Sequence, residues 1–117
     1  MKIRQMLERG FNLNPEIKQL QQAKENAKNM EVTDTDAYRE YSKLLFKRIN
    51  ELLEINKQTV EIVNSLDDVV LRSIFIARYV NFKTWEEIAD EFEIDLRWVY
   101  RLHKKGLEEL EKKLMKS

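Results

Sequence analysis

Apolar residues recur every three or four positions along most of this chain, a period that predicts helices rather than strands. Ile3, Met6 and Leu7 share one side of a short first helix, and Gly10 is its expected left-handed stop. Phe11 and Leu13 then fall in the connection. Asn14-Pro15-Glu16 reads as the next start, with Asn14 as cap, Pro15 at the first helical position and Glu16 near the positive end of the dipole. The stripe that follows, Ile17, Leu20, Ala23 and Ala27, is thin and ends near Asn29.

Residues 31–36 form a polar break rich in cap residues. A long helical pattern runs from there to about Asn64. Placing Tyr38, Leu45, Leu52, Thr59 and Leu66 at heptad position d puts Ile49, Asn56, Val63 and Val70 at a. Leu45, Ile49, Leu52, Asn56 and Val63 are the candidates for helix association. Asn56 either fixes the register of that pairing or meets water. Flanking Tyr41, Phe46, Leu53, Ile55, Val60 and Ile62 make the face broader than a two-stranded seam needs. It suits the earlier helix on one side and a partner, such as a second copy, on the other. Ser65-Leu66-Asp67-Asp68 ends the register as a cap, with Ser65 as the expected capping hydroxyl.

The last third punctuates more sharply. Leu66, Val69, Val70, Ile74, Ala77 and Val80 predict a helix ending near Asn81, a residue that tolerates a left-handed backbone. Thr84 and Glu87 form a capping box for a short helix to about Phe92. Asp95 caps a last helix, about 95–115, whose stripe is Val99, Leu102, Gly106, Leu107, Leu110 and Leu114. Ala89 stands five residues before Ile94 and ten before Val99. A small residue followed by two aliphatics at those offsets lets two helices cross closely, as in a helix-turn-helix. The expected architecture is therefore all-α: an N-terminal helical hairpin with one long helix over 1–64, then a helix-turn-helix over 65–117.

Composition narrows the chemistry. In 117 residues there are 21 basic and 21 acidic side chains, two Gly, one Pro, one His and no Cys. Disulfides and thiolate or histidine-cluster metal sites are excluded on that count, and no cofactor is expected. No apolar run approaches the roughly 18 residues of a membrane span, and residues 1–10 lack a signal-peptide core. The expected location is the cytoplasm. No nucleophile–base pair or Gly-rich phosphate loop is present, so no enzyme is expected.

The zero net charge conceals a separation. Residues 86–95 carry six acids and no base, while 97–105 carry four bases and no acid. Arg97, Arg101 and Lys104, spaced by four and three, share one face, with Lys105 close by. Such a run is either a solvated face or a nucleic-acid surface. In a helix-turn-helix the start of the second helix enters the major groove. There Arg97 and Arg101 can each donate two hydrogen bonds to guanine, and Tyr100 can reach a base or sugar. Lys104 and Lys105, a turn later, suit phosphates, as do Lys83 and the Thr84 cap. Trp98 either joins the groove face or packs over the edge of the motif. Trp85 is expected in the core, and His103 as a packing or phosphate-contacting residue.

These phrases carry a resemblance. The runs 71–80, 84–89, 94–102 and 106–110 resemble region 4 of the sigma-70 family, the reader of the −35 promoter element. Residues 78–89 and 97–103 are still more similar to a family of small phage-encoded proteins of unknown function from low-GC Gram-positive bacteria. The resemblance covers about the last 50 residues; the first half matches only in kind. It implies a phage or prophage transcriptional regulator that binds double-stranded DNA. Arg97, Trp98, Tyr100 and Arg101 would contact bases, and Thr84 and Lys104 phosphates. RNA polymerase and a second copy of the chain are the other candidate partners. One departure stands out: Asp95 and Leu96 replace the small hydroxyl and charged residues common there. The −35 specificity is therefore not carried over. Neutralising about four phosphates would give a log–log salt slope of about −3.6.

Overall fold

A computed structural model describes residues 2–30 and 35–116, and these are all-helical. The elements are α1 (Lys2–Asn12), α2 (Asn14–Lys28), α3 (Asp36–Asn64), α4 (Val69–Phe75), a π-helical segment (Ile76–Val80), α5 (Trp85–Glu91) and α6 (Leu96–Lys116). Of the expected polar break, residues 31–34 lie outside the described part.

The start of the chain departs from expectation. α1 runs through Gly10 to Asn12, and neither glycine has a positive φ. Gly10 serves a close approach instead: a Cβ there would lie 2.8 Å from Thr59 Oγ1. The bend comes at Pro15, which has no N–H to continue the ladder. On either side of it the Leu13 N–H donates to the Arg9 carbonyl at 3.2 Å and the Ile17 N–H to the Leu13 carbonyl at 3.1 Å. Asn14 lies inside α2, and its predecessor Leu13 keeps a helical backbone with no side-chain cap. A side-chain cap needs an extended backbone at the first position, and a helix that bends without unwinding never offers one.

Genuine caps stand where the backbone is extended. Thr35 accepts from the Tyr38 N–H at 3.1 Å, and Asp68 from the Leu71 N–H at 3.0 Å. The expected Ser65 cap is not made; its hydroxyl donates back to the Ile62 carbonyl at 2.6 Å. With Asp68 as cap, the phase of α4 turns. Leu71, Ile74 and Phe75 point inward, while Val69 and Val70 are exposed. The heptad assignment of Val70 therefore fails.

The side of α3 singled out by the heptads is taken by the chain itself. Ile49, Leu52 and Val63 are buried; Leu45 lines a crevice with Lys24 and Ala27 of α2. Asn56 faces α1, its Oδ1 3.8 Å from the Cβ position of Gly10. Arg48 bridges Glu16 of α2 at 2.9 Å. A dimer seam through Leu45, Ile49, Leu52, Asn56 and Val63 would displace these internal partners. Tyr41, Leu44, Phe46, Leu53 and Val60 remain exposed on α3.

Nor is the 64/65 boundary a boundary of the core. Ile3, Leu7 and Val63 pack with Leu66, Leu71, Phe75, Tyr79, Leu107 and Leu110 in one buried cluster. α1 is the reason: it carries the first residues of the chain into the second half. A second cluster, Ile74, Ala77, Ile88, Ala89 and Val99, lies beneath α5 and α6. The radius of gyration is 18.0 Å, against about 13 Å for a compact domain of roughly this size. The excess reflects the long α3, which with α2 reaches beyond the shared core.

Candidate nucleic-acid interface

α5 begins with the expected capping box. The Glu87 N–H donates to Thr84 Oγ1 at 3.1 Å, and the Thr84 N–H to Glu87 Oε1 at 3.0 Å. That N–H, with the Thr84 hydroxyl, holds the Glu87 carboxyl below the usual range. α5 then stops in a Schellman turn. The Glu93 N–H donates to the Asp90 carbonyl at 3.2 Å and the Ile94 N–H to the Ala89 carbonyl at 3.0 Å. The left-handed position this turn needs is filled by Glu93, at φ 55°. Ile94 folds back onto Ala89, and Val99 closes the contact from α6, fully buried. This triad fixes the angle between the two helices and therefore which face of α6 looks outward.

That outward face holds Arg97, Trp98, Tyr100, Arg101, Lys104 and Lys105, all exposed. Its four cations form no ion pair among the described residues. The Arg101 guanidinium lies 5.8 Å from the Trp98 ring centre, within cation–π range. Trp98 is 48% exposed, so it stands on the face rather than in the core. Tyr100 meets the Trp85 ring edge-on at 5.6 Å. Asp95, Leu96, Arg97 and Tyr100 line an open concavity where α6 begins. The Asp95 carbonyl accepts from the Trp98 and Val99 N–H groups there.

The two sites before α5 differ. Thr84 is exposed, and its hydroxyl is engaged with Glu87, accepting from the backbone N–H and supporting the carboxylate. Lys83 is half-buried and paired with Glu91, so its charge is already partly matched. His103 is a packing residue. It is 8% exposed, stacks on Phe75 at 5.2 Å and shares a 2.6 Å hydrogen bond with the Tyr79 hydroxyl. Burial pulls the imidazole down to about 4 and pushes the phenol up to about 12, so both are neutral near pH 7.

One cluster had no signal in the sequence. The π-helical turn, with the Asn81 N–H donating to the Ile76 carbonyl at 2.9 Å, adds a residue to the helix end. The left-handed position consequently falls on Phe82, at φ 58°, and not on the expected Asn81. The same turn sets Arg78 between the Phe11 ring at 3.8 Å and the Trp85 ring at 4.3 Å.

No protein-family model, curated protein or solved structure matches this chain. Among the described residues no group of side chains could hold a metal ion, and no helix is long and apolar enough to cross a membrane.

Proposed function

We propose that the chain is a sequence-specific DNA-binding regulator, of phage or prophage origin, in which α5 and α6 act as a helix-turn-helix similar to sigma region 4. The observation that carries this reading is the unpaired, exposed basic and aromatic face at the start of α6, braced by Ala89, Ile94 and Val99. Arg97 and Arg101 read guanine edges in the major groove, with Tyr100 and Trp98 beside them. Lys104 and Lys105 neutralise phosphates one turn on, and the Thr84 hydroxyl reaches another only by turning its proton away from Glu87. Lys83 contributes only if it leaves Glu91. The chemistry is docking, with no covalent step. Selection of binding sites from random DNA by the purified protein tests it. Enrichment of a defined site, lost in Arg97→Ala/Arg101→Ala at unchanged helicity, supports the reading; an unenriched pool contradicts it.

A second reading is docking to RNA polymerase or another protein without sequence-specific DNA binding. Exposed Glu86, Glu87 and Asp90 on α5 favour it, as do the apolar residues left open on α3. Capture of polymerase that survives Arg97→Ala/Arg101→Ala, together with an unenriched DNA pool, would select this reading.

A further inference from the structure

Between α1, the π-helical segment and the starts of α5 and α6 lies a cavity of about 340 Å³. Its walls include Arg4 and Glu8 from α1, Arg78, Trp85, and Tyr100 and His103 from α6. The volume is at the low end for small-molecule sites. It is more polar than the apolar groove beside Ile3, Met6 and Leu110, and it brings together side chains from both ends of the chain.

The charges in this cavity do not cancel. Arg4 and Glu8 neutralise each other at 2.9 Å. His103 is neutral in its buried bond to Tyr79. Of the cations that line this cavity, Arg78 alone has no acidic partner among the described residues. The Phe11 and Trp85 ring centres lie 3.8 and 4.3 Å from its guanidinium carbon. Nη1 donates to the Lys83 carbonyl at 3.0 Å, but the buried Nε–H has no acceptor among the described residues. A buried charged donor without an acceptor is costly, and burial also holds the Arg78 pKa below its usual value. The Tyr100 and His103 rings lie 5.6 and 4.6 Å from the Trp85 ring, both edge-on.

From this juxtaposition we infer that the cavity is a binding site for a small planar carboxylate. One carboxylate oxygen accepts from the Arg78 guanidinium where it lines the cavity, and the planar body packs against Trp85 and Tyr100. Because Tyr100 also belongs to the proposed DNA face, occupancy would alter DNA binding. That consequence rests on the DNA reading, whereas the binding itself does not.

The test is an NMR titration of the full-length, ¹⁵N-labelled native protein with benzoate, and separately with the isosteric neutral amide benzamide. Saturable shifts of the Arg78 Nε–H and Trp85 indole signals with benzoate, and not with benzamide, are expected. Tyr100→Ala, an exposed position, should weaken benzoate roughly 2- to 10-fold through the lost ring contact. Equal response to both probes overturns the carboxylate assignment. No saturable shift at millimolar benzoate, or shifts confined to Lys104 and Lys105, overturns the site.

Discussion

The two ends of α3 lie in different surroundings. Its C-terminal end enters a core to which α1, α4, the π-helical segment and α6 all contribute, where Val63, Leu66, Leu71 and Phe75 are at most 1% exposed. Among the described residues its N-terminal end packs against α2, whose buried residues are Ile17 and Ala27. There Leu44 is 68% exposed and Phe46 is 46% exposed beneath the Lys24 ammonium. Both ends are equally helical. The difference shows that here local helix propensity decides the backbone, while closing the chain with α1 decides where stability resides. Hydrogen exchange should therefore be slowest around α4 and α6 and fastest at the outer ends of α2 and α3.

The largest effect should come from emptying the shared core. Phe75→Ala is expected to cost about 3–5 kcal/mol in urea unfolding, against about 2 kcal/mol for Ile17→Ala in the outer arm. Equal losses would erase the contrast. Acid should act on the same region. His103 is buried neutral, with a folded value of about 4 against about 6.5 unfolded. The unfolded chain therefore binds the extra proton, and stability falls as pH drops from about 6.5 to about 4, by about 3 kcal/mol at the limit. His103→Gln should flatten that part of the pH–stability curve; an unchanged slope would assign it to other groups.

The two glycines give a finer comparison. A Cβ on Gly106 would lie 2.3 Å from Phe75 Cε1 and 2.6 Å from its Cζ, in the tightest part of the core. Gly106→Ala should cost about 1–3 kcal/mol despite the better helix propensity of alanine. At Gly10 only the Thr59 hydroxyl is closer than 3 Å, so Gly10→Ala should cost less. A reversed order in thermal melts would contradict the packing described for the two sites. The smallest effect is at the turn between α5 and α6. Glu93→Gly relieves a left-handed backbone and should stabilise by about 0.5–1 kcal/mol in urea unfolding, without moving α6.

Much of this was legible in the sequence. The Thr84–Glu87 capping box follows a local rule and appears in place, whereas the cap before α4 falls on Asp68 and not on Ser65. The contact of Ala89, Ile94 and Val99 also appears in place, because offsets of five and ten already encode a crossing. The errors arose where a long-range partner overrode a local signal. Gly10 read as a stop because glycine often ends helices, but its role depends on Thr59, 49 positions away. The heptad seam of α3 was correctly seen as apolar, yet its occupants, α1 and α2, could not be told from a second copy. The Arg78 cavity was invisible because it depends on a π-helical turn and on α1 folding back over it.

We propose that the exposed face of α6 binds DNA through four cations that form no ion pair among the described residues. Fluorescence anisotropy on a selected site across a salt series tests it most directly. Arg97, Arg101, Lys104 and Lys105 are available, while Lys83 is held by Glu91. Each phosphate neutralised adds about −0.9 to the log–log slope, so three to four give about −2.7 to −3.6. Arg97→Ala/Arg101→Ala should abolish preference for the selected site without lowering the melting temperature. An affinity flat in salt, or a double variant that binds the site as well as the native protein, would contradict the account.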